Sequence, residues 1–182
     1  MPNDPNKVKV GAGILYIGRV GVAEPNDLTT PWATVDADWL AFGYTEEGHT
    51  FNSEPNFEAI EVAEELEPIR YEQTAVANSL ELAAAQMTVT NLGYAFNGGT
   101  VTTISGTVVS FEPPALGDVT RLAIGWESND GEERWVFRKC IQTGNVAIAR
   151  RKAPNKATIP MVYRLEKPGA GIAPYRSVLE TA

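Results

Sequence analysis

The chain has 182 residues, 43% hydrophobic and 21% charged, which is enough apolar material for one buried core and excludes a disordered chain. A single cysteine, Cys140, and a single histidine, His49, exclude an internal disulfide framework, a multi-thiolate metal cluster and most histidine-based catalytic or zinc designs. A net charge of −8 argues against nucleic-acid binding through a general basic surface, and no apolar run is long enough for a membrane-spanning helix.

The opening MPNDPNKVKV lacks a charged region followed by an apolar one, so no secretory signal is expected. Synthesis in a reducing compartment is expected, and residues 1–12 read as an arm. Gly13–Gly18 (GILYIG) is a short apolar run bounded by glycines, the pattern of a buried strand. The connection from Gly21 to Asp38 is long and rich in turn residues, and Trp32 within it is expected to be pinned against something. Trp39–Tyr44 resumes a strand, and Thr50–Ser53 starts another. Phe57–Glu67 (FEAIEVAEELE) carries both periods: Phe57, Ile60, Ala63 and Leu66 at helical spacing, Ile60 and Val62 in alternation. Its glutamates would repel one another on a helix, so an extended hairpin or flap is preferred.

Val76, Asn78, Leu80 and Leu82 share one face of the next strand. Leu82, Ala85, Val89, Leu92 and Phe96 then step by three and four, which predicts one helix ending in a left-handed cap at Gly98. A β run with Val101, Ile104, Val108, Val109 and Phe111 follows, closed by Pro113–Pro114. Leu122, Ile124 and Trp126 alternate, Asn129-Asp130-Gly131 marks a hairpin turn, and the return strand sets Trp135, Phe137 and Ile141 against Arg134, Val136, Arg138 and Cys140. Ala149–Lys156 is a basic loop. Ile159, Met161, Tyr163 and Leu165 alternate in a last strand, where Pro160 suits a sheet edge. Residues 168–182 keep Ile172, Tyr175, Val178 and Leu179 despite their breakers, so this terminal arm needs the same core or a neighbour's surface to cover it. The expected fold is mainly β: an antiparallel sandwich or barrel with one flanking helix, a single domain with two arms.

Charge is unevenly distributed. Residues 1–75 carry a net −10, residues 76–117 a net −2 and residues 118–182 a net +4. Either the two halves neutralise each other inside one fold, or one face of a protomer meets a different face of the next. Eight glutamates lie in 46–67 with no lysine or arginine, among them Glu46, Glu47, Glu61, Glu64 and Glu65. Paired carboxylates of this kind could serve a glycosidase, but a solvated or interface-facing acidic loop is the simpler reading. Arg150, Arg151 and Lys152 could touch phosphates, and an acidic partner loop fits them equally well. Gly11-Ala12-Gly13 is no dinucleotide fingerprint, and Asp36 and Asp38 begin no calcium loop. His49 has no nucleophile turn to serve and is expected at the surface, and Cys140 is expected to be an inert thiol. No catalytic residue, metal or cofactor is expected; the pattern is that of a protein that works by assembling.

VGAGILYIGRVG, a proline-containing loop ending in WLAFGYTEEGHTF, then EAIEVAEELEPIR and SLELAAAQMTVTNLGYAFNGG together resemble the major tail (tail tube) protein of long-tailed bacteriophages, most of all those of phages infecting actinobacteria. The resemblance is strong over residues 10–100 and looser beyond. It implies a β-sandwich subunit with a flanking helix, forming six-membered rings that stack into a hollow tube carrying DNA to the host. It implies an inter-subunit loop at 46–74, including Glu64, Glu65, Pro68 and Arg70. It also implies partners in the tail tip, tape measure and tail terminator proteins, no membrane, and a place in the virion tail after synthesis in the host cytoplasm. Another virion ring component, such as a terminator or adaptor, and a β-barrel ligand binder are the alternatives.

Overall fold

The computed structural model describes residues 11, 13–150, 152–153 and 155–180. Gly11 apart, the expected arm at 1–12 lies outside them. The chain order is β1 (Ile14–Arg19), α1 (Trp32–Val35), β2 (Leu40–Ala41), β3 (Thr45–Ile60), β4 (Arg70–Ala84), α2 (Val89–Ala95), β5 (Thr100–Ser105), β6 (Val108–Glu112), β7 (Leu122–Glu127), β8 (Glu133–Gln142), β9 (Ile159–Leu165) and β10 (Tyr175–Leu179). The main sheet runs β2-β1-β7-β8-β9-β4-β3, antiparallel throughout, with β10 branching from the first half of β8 while β9 pairs its end. β5 and β6 form a separate two-stranded hairpin.

The sheet folds over on itself because its strands alternate apolar and polar residues and one face must leave water. Phe51 on β3 reaches across to β8 and β10, its ring 5.2 Å from Phe137 and 5.0 Å from Tyr175. Between the layers lie Leu80, Ile124, Phe137, Cys140, Ile159, Met161 and Tyr163, all fully buried. α2 closes one end, where its Tyr94 carbonyl accepts a hydrogen bond from the Tyr163 hydroxyl at 3.2 Å. This is the expected mostly antiparallel β sandwich.

A second cluster covers the other face of β1, β7 and β8. The long connection lays Trp32 and Trp39 over Val22, Ala123 and Val136, with Tyr16 stacked on Trp32 at 4.7 Å. Gly125 permits this approach, since a Cβ there would stand 2.4 Å from the Trp32 ring. The Trp32 indole donates to Glu127 at 2.6 Å and that of Trp39 to the Ala23 carbonyl at 2.8 Å. The segment is cladding, pinned as Trp32 predicted.

Several local expectations change. The helix begins at Val89, capped by Thr88, whose hydroxyl accepts from the Asn91 amide at 3.1 Å. Leu82 instead belongs to β4, which gains a ladder on both sides, from β3 and β9, and so outweighs the helical period. Positive φ begins one residue before the expected glycine, at Asn97 (58°), and continues at Gly98 (124°), whose amide closes the turn onto the Gly93 carbonyl at 2.7 Å. The β run at 101–111 is a hairpin, turning between Ser105 and Val108. In β8 a register shift inserts an extra residue opposite β7, which brings Cys140 round to the Phe137 side. Pro160 lies in an interior strand of the sheet order, but β8 has ended at Gln142↔Tyr163, so only β4 runs beside it.

Candidate assembly surface

The hairpin of β3 and β4 has two parts. Near Thr45 and Ala84 it packs on the core; beyond Ser53↔Asn78 it projects as a bare ribbon, with residues 53–59 and 70–77 all exposed. Register fixes what each face shows. Phe51/Leu80 lie over the core, and the same face continues outward through Pro55/Val76 and, past an irregularity at Thr74, Phe57/Gln73 and Ala59/Tyr71. Val76 is 50% exposed, Phe57 53% and Tyr71 66%, so the core-facing stripe runs on with none of the described residues over it. The opposite face carries Glu54, Glu58 and Glu72, with Glu58 directly across from Glu72.

The turn at 61–69 exposes Glu61, Glu64, Glu65, Leu66 and Glu67, with Pro68 half-buried and Arg70 placed 3.6 Å from Glu72. Among the described residues no cation pairs with Glu54, Glu58, Glu61, Glu64, Glu65 or Glu67. Glu46 pairs with Lys156 at 2.7 Å, and Glu47 is exposed beside it. That pair ties the basic loop to the start of β3, level with Ala84. Arg150 and Lys152 are exposed in the loop, and Arg151 lies outside the described residues. Acidic turn and basic loop therefore sit at opposite ends of β4, roughly 45 Å apart at about 3.3 Å per residue. One protomer does not bring them together.

The hairpin of β5 and β6 is the second uncovered element: residues 100–109 are all exposed. Its root is held through Phe111, 6.0 Å from Phe96 at the end of α2. A lone two-stranded ribbon is marginally stable in water, and this chain carries two of them.

A family model described as phage tail tube protein matches residues 1–155. The chain belongs to that family. It is a structural protein of the phage tail. No curated protein matches it. The matched span runs from β1 through β8 and includes both ribbons, while β9 and β10 follow it.

Other residues of this tail tube protein sit less openly than their sequence suggested. The Tyr175 ring is covered by its own chain, stacked on Trp135 at 5.8 Å, and Leu179 at the end of β10 is exposed. Part of the acidic first half is neutralised internally: Glu24 takes both forks of Arg138 at 2.6 and 2.9 Å, and Asp27 stands 3.9 Å from Arg134. Arg134 was legible only as one member of an alternating strand, yet it is buried and also paired to Glu127 at 3.0 Å. His49 is half-buried against Trp126, 5.2 Å between rings, not at the surface; its Nδ1 has no hydrogen-bond partner. Desolvation lowers its pKa, opposed in part by Glu133. Burial pushes the Cys140 thiol well above its ordinary range, which suits a packing role. No group of three or more His, Cys, Asp or Glu that could hold a metal occurs among the described residues.

Proposed function

We propose that the protein forms six-membered rings that stack into the hollow tube of a phage tail, through which DNA passes to the host. The observation that carries this is the pair of projecting ribbons, whose apolar faces are covered by none of the described residues of the same protomer. Charge supports it as well. Unpaired carboxylates at one end of β4 and unpaired cations at the other suit a head-to-tail contact, the kind that closes rings or grows filaments. In this reading Glu61, Glu64 and Glu65, with Pro68 and Arg70 framing the turn, face Arg150, Arg151 and Lys152 of a neighbour. Glu46 and Glu47, at the base of β3, adjoin that receiving end. Leu179 and the exposed edge near Tyr175 are offered to another protomer. A net acidic chain also suits a bore that must not hold phosphates. The tail tip, tape measure and tail terminator proteins are the remaining partners.

Negative-stain electron microscopy across a concentration and salt series tests this directly. Stacked hollow tubes are expected. Discrete rings that never stack would favour a terminator or adaptor instead, and a persistent monomer even with a tail tip present would refute assembly. Glu64→Lys with Glu65→Lys is expected to impair tube formation and leave the monomer folded; normal tubes from that variant would remove the turn from the interface.

A further inference from the structure

From Leu82 through Phe111 the chain has no charged residue. Much of that stretch is core, but its last part is the exposed β5–β6 hairpin, and exposed ribbons are normally kept apart by charge. Register puts Val101/Phe111 and Thr103/Val109 on one face, and Val101 is 49% exposed. The hairpin thus presents a neutral, partly apolar face with nothing to stop it from pairing.

The position of this face narrows what can cover it. Asn97, three residues before β5, grips the main chain of Gln142 at the end of β8 with its side chain: Nδ2 donates to the Gln142 carbonyl at 2.7 Å and Oδ1 accepts from the Gln142 amide at 2.8 Å. From Gln142 the chain runs through residues 143–148 into the basic loop, whose Lys156 is tied to Glu46 at the start of β3, level with Ala84. Neutral hairpin and cations therefore share one end of the molecule. The β3–β4 ribbon leaves from the other end of β4 and, held by its ladder, cannot fold back to them.

We propose that the β5–β6 hairpin is the seat for the β3–β4 ribbon of a second copy of this chain. This rests on the assembly reading above. The ribbon's Pro55, Phe57, Tyr71 and Val76 face is itself uncharged, so it can lie on Val101 and Val109 without burying an ion. Glu54, Glu58 and Glu72, on the ribbon's back, stay in water. The carboxylates of its turn then arrive beside the neighbour's Arg150 and Lys152. Of the carboxylates near this end, Glu46 is paired with Lys156 and Glu112 lies across from Thr100 on the hairpin's other face, so the face that takes the ribbon carries no acid to repel it.

Two full-length chains test this, one with Phe57→Cys and one with Val101→Cys; both sites are exposed, and the native thiol is buried. They are mixed under conditions where tubes form, treated with a short bis-maleimide and separated on a denaturing gel. A cross-linked dimer is expected from the mixture at least tenfold above either chain alone. Tubes without that dimer, or equal dimer from Phe57→Cys alone, would overturn the proposed seat while leaving the tube assembly standing. If neither the mixture nor the unsubstituted protein forms rings or tubes, the assembly reading itself fails and the seat with it. An independent arm uses charge. Val101→Asp is expected to raise the concentration needed for assembly at least tenfold with unchanged thermal unfolding, and adding Phe57→Lys in the same chain is expected to restore most of the loss. No effect of Val101→Asp would overturn the proposal.

Discussion

Arg134 lies beneath the Trp32 ring, its guanidinium carbon 5.6 Å from the ring centroid, with 3% of its surface exposed. Its Nη1 donates to the carbonyls of Asp27 and Thr30, and its Nη2 to Glu127, so one side chain fastens the cladding loop to β8. Arg134→Ala would leave the Glu127 carboxylate without its cation, held only by the Trp32 indole, and open a cavity under Trp32, and is expected to cost about 3–5 kcal/mol in urea unfolding. Gly125→Ala would push a methyl into the same ring and cost about 1–3 kcal/mol. His49 supplies a pH dependence. Its folded pKa is depressed by desolvation, so below about 6.5 the unfolded chain binds the extra proton and the fold does not. Stability that is complete above that value is lost progressively as pH falls below it. Asp27 does not interfere in this window: hydrogen bonds, first from the Thr30 amide, hold its carboxyl at about 2. The urea midpoint is expected to drop between pH 7 and 5, and His49→Gln is expected to flatten that slope.

At the scale of elements, the two ribbons differ from the body in how much holds them. In the monomer, amides at 54–60, 70–77 and 100–112 are expected to exchange with solvent faster than those of β7 and β8, since few buried side chains protect them. Assembly is expected to slow exchange at the same residues; unchanged exchange in tubes would mean that the ribbons stay bare. Most strands were legible because alternation in β7, β8 and β9 reflects a one-sided core. The long hairpin was legible only as an ambiguity. Phe57, Ile60 and Leu66 mimic a helical stripe when read along the chain, and only pairing with Tyr71 and Val76 shows them as parts of a ribbon. The helix was misplaced for a related reason: Leu82 and Ala85 fit its period, while the ladder that claims Leu82 comes from β9, more than seventy residues away. The cage around Arg134 left no local signal, because its partners come from α1's flank and β7. Nor could spacing reveal that β5 and β6 stand clear of the sheet.

Taken as a whole, the molecule spends its opposite charges in two ways. Glu24, Asp27 and Glu127 meet Arg134 and Arg138 within the fold, whereas the carboxylates of residues 54–67 and the cations at Arg150 and Lys152 remain at opposite ends. Exposed pairs contribute only about 0–1 kcal/mol each and are screened within about 8–10 Å at physiological salt. Sodium chloride is therefore expected to raise the concentration needed for assembly, and turbidity titrations should show that slope diminished in the Glu64→Lys, Glu65→Lys variant. The location of the tryptophans gives the protein a built-in pair of optical channels. All four lie in the body: Trp32, Trp39 and Trp126 are buried, Trp135 is half-buried, and neither ribbon carries one. Indole emission is expected to shift red when the body melts and to change far less while subunits polymerise, since only Trp135, beside the β10 edge offered to a neighbour, is part-exposed. Recording emission and scattered light from one cuvette would then sort any variant at sight: lost scattering with steady emission marks a defect of association, and the two changing together marks a defect of folding.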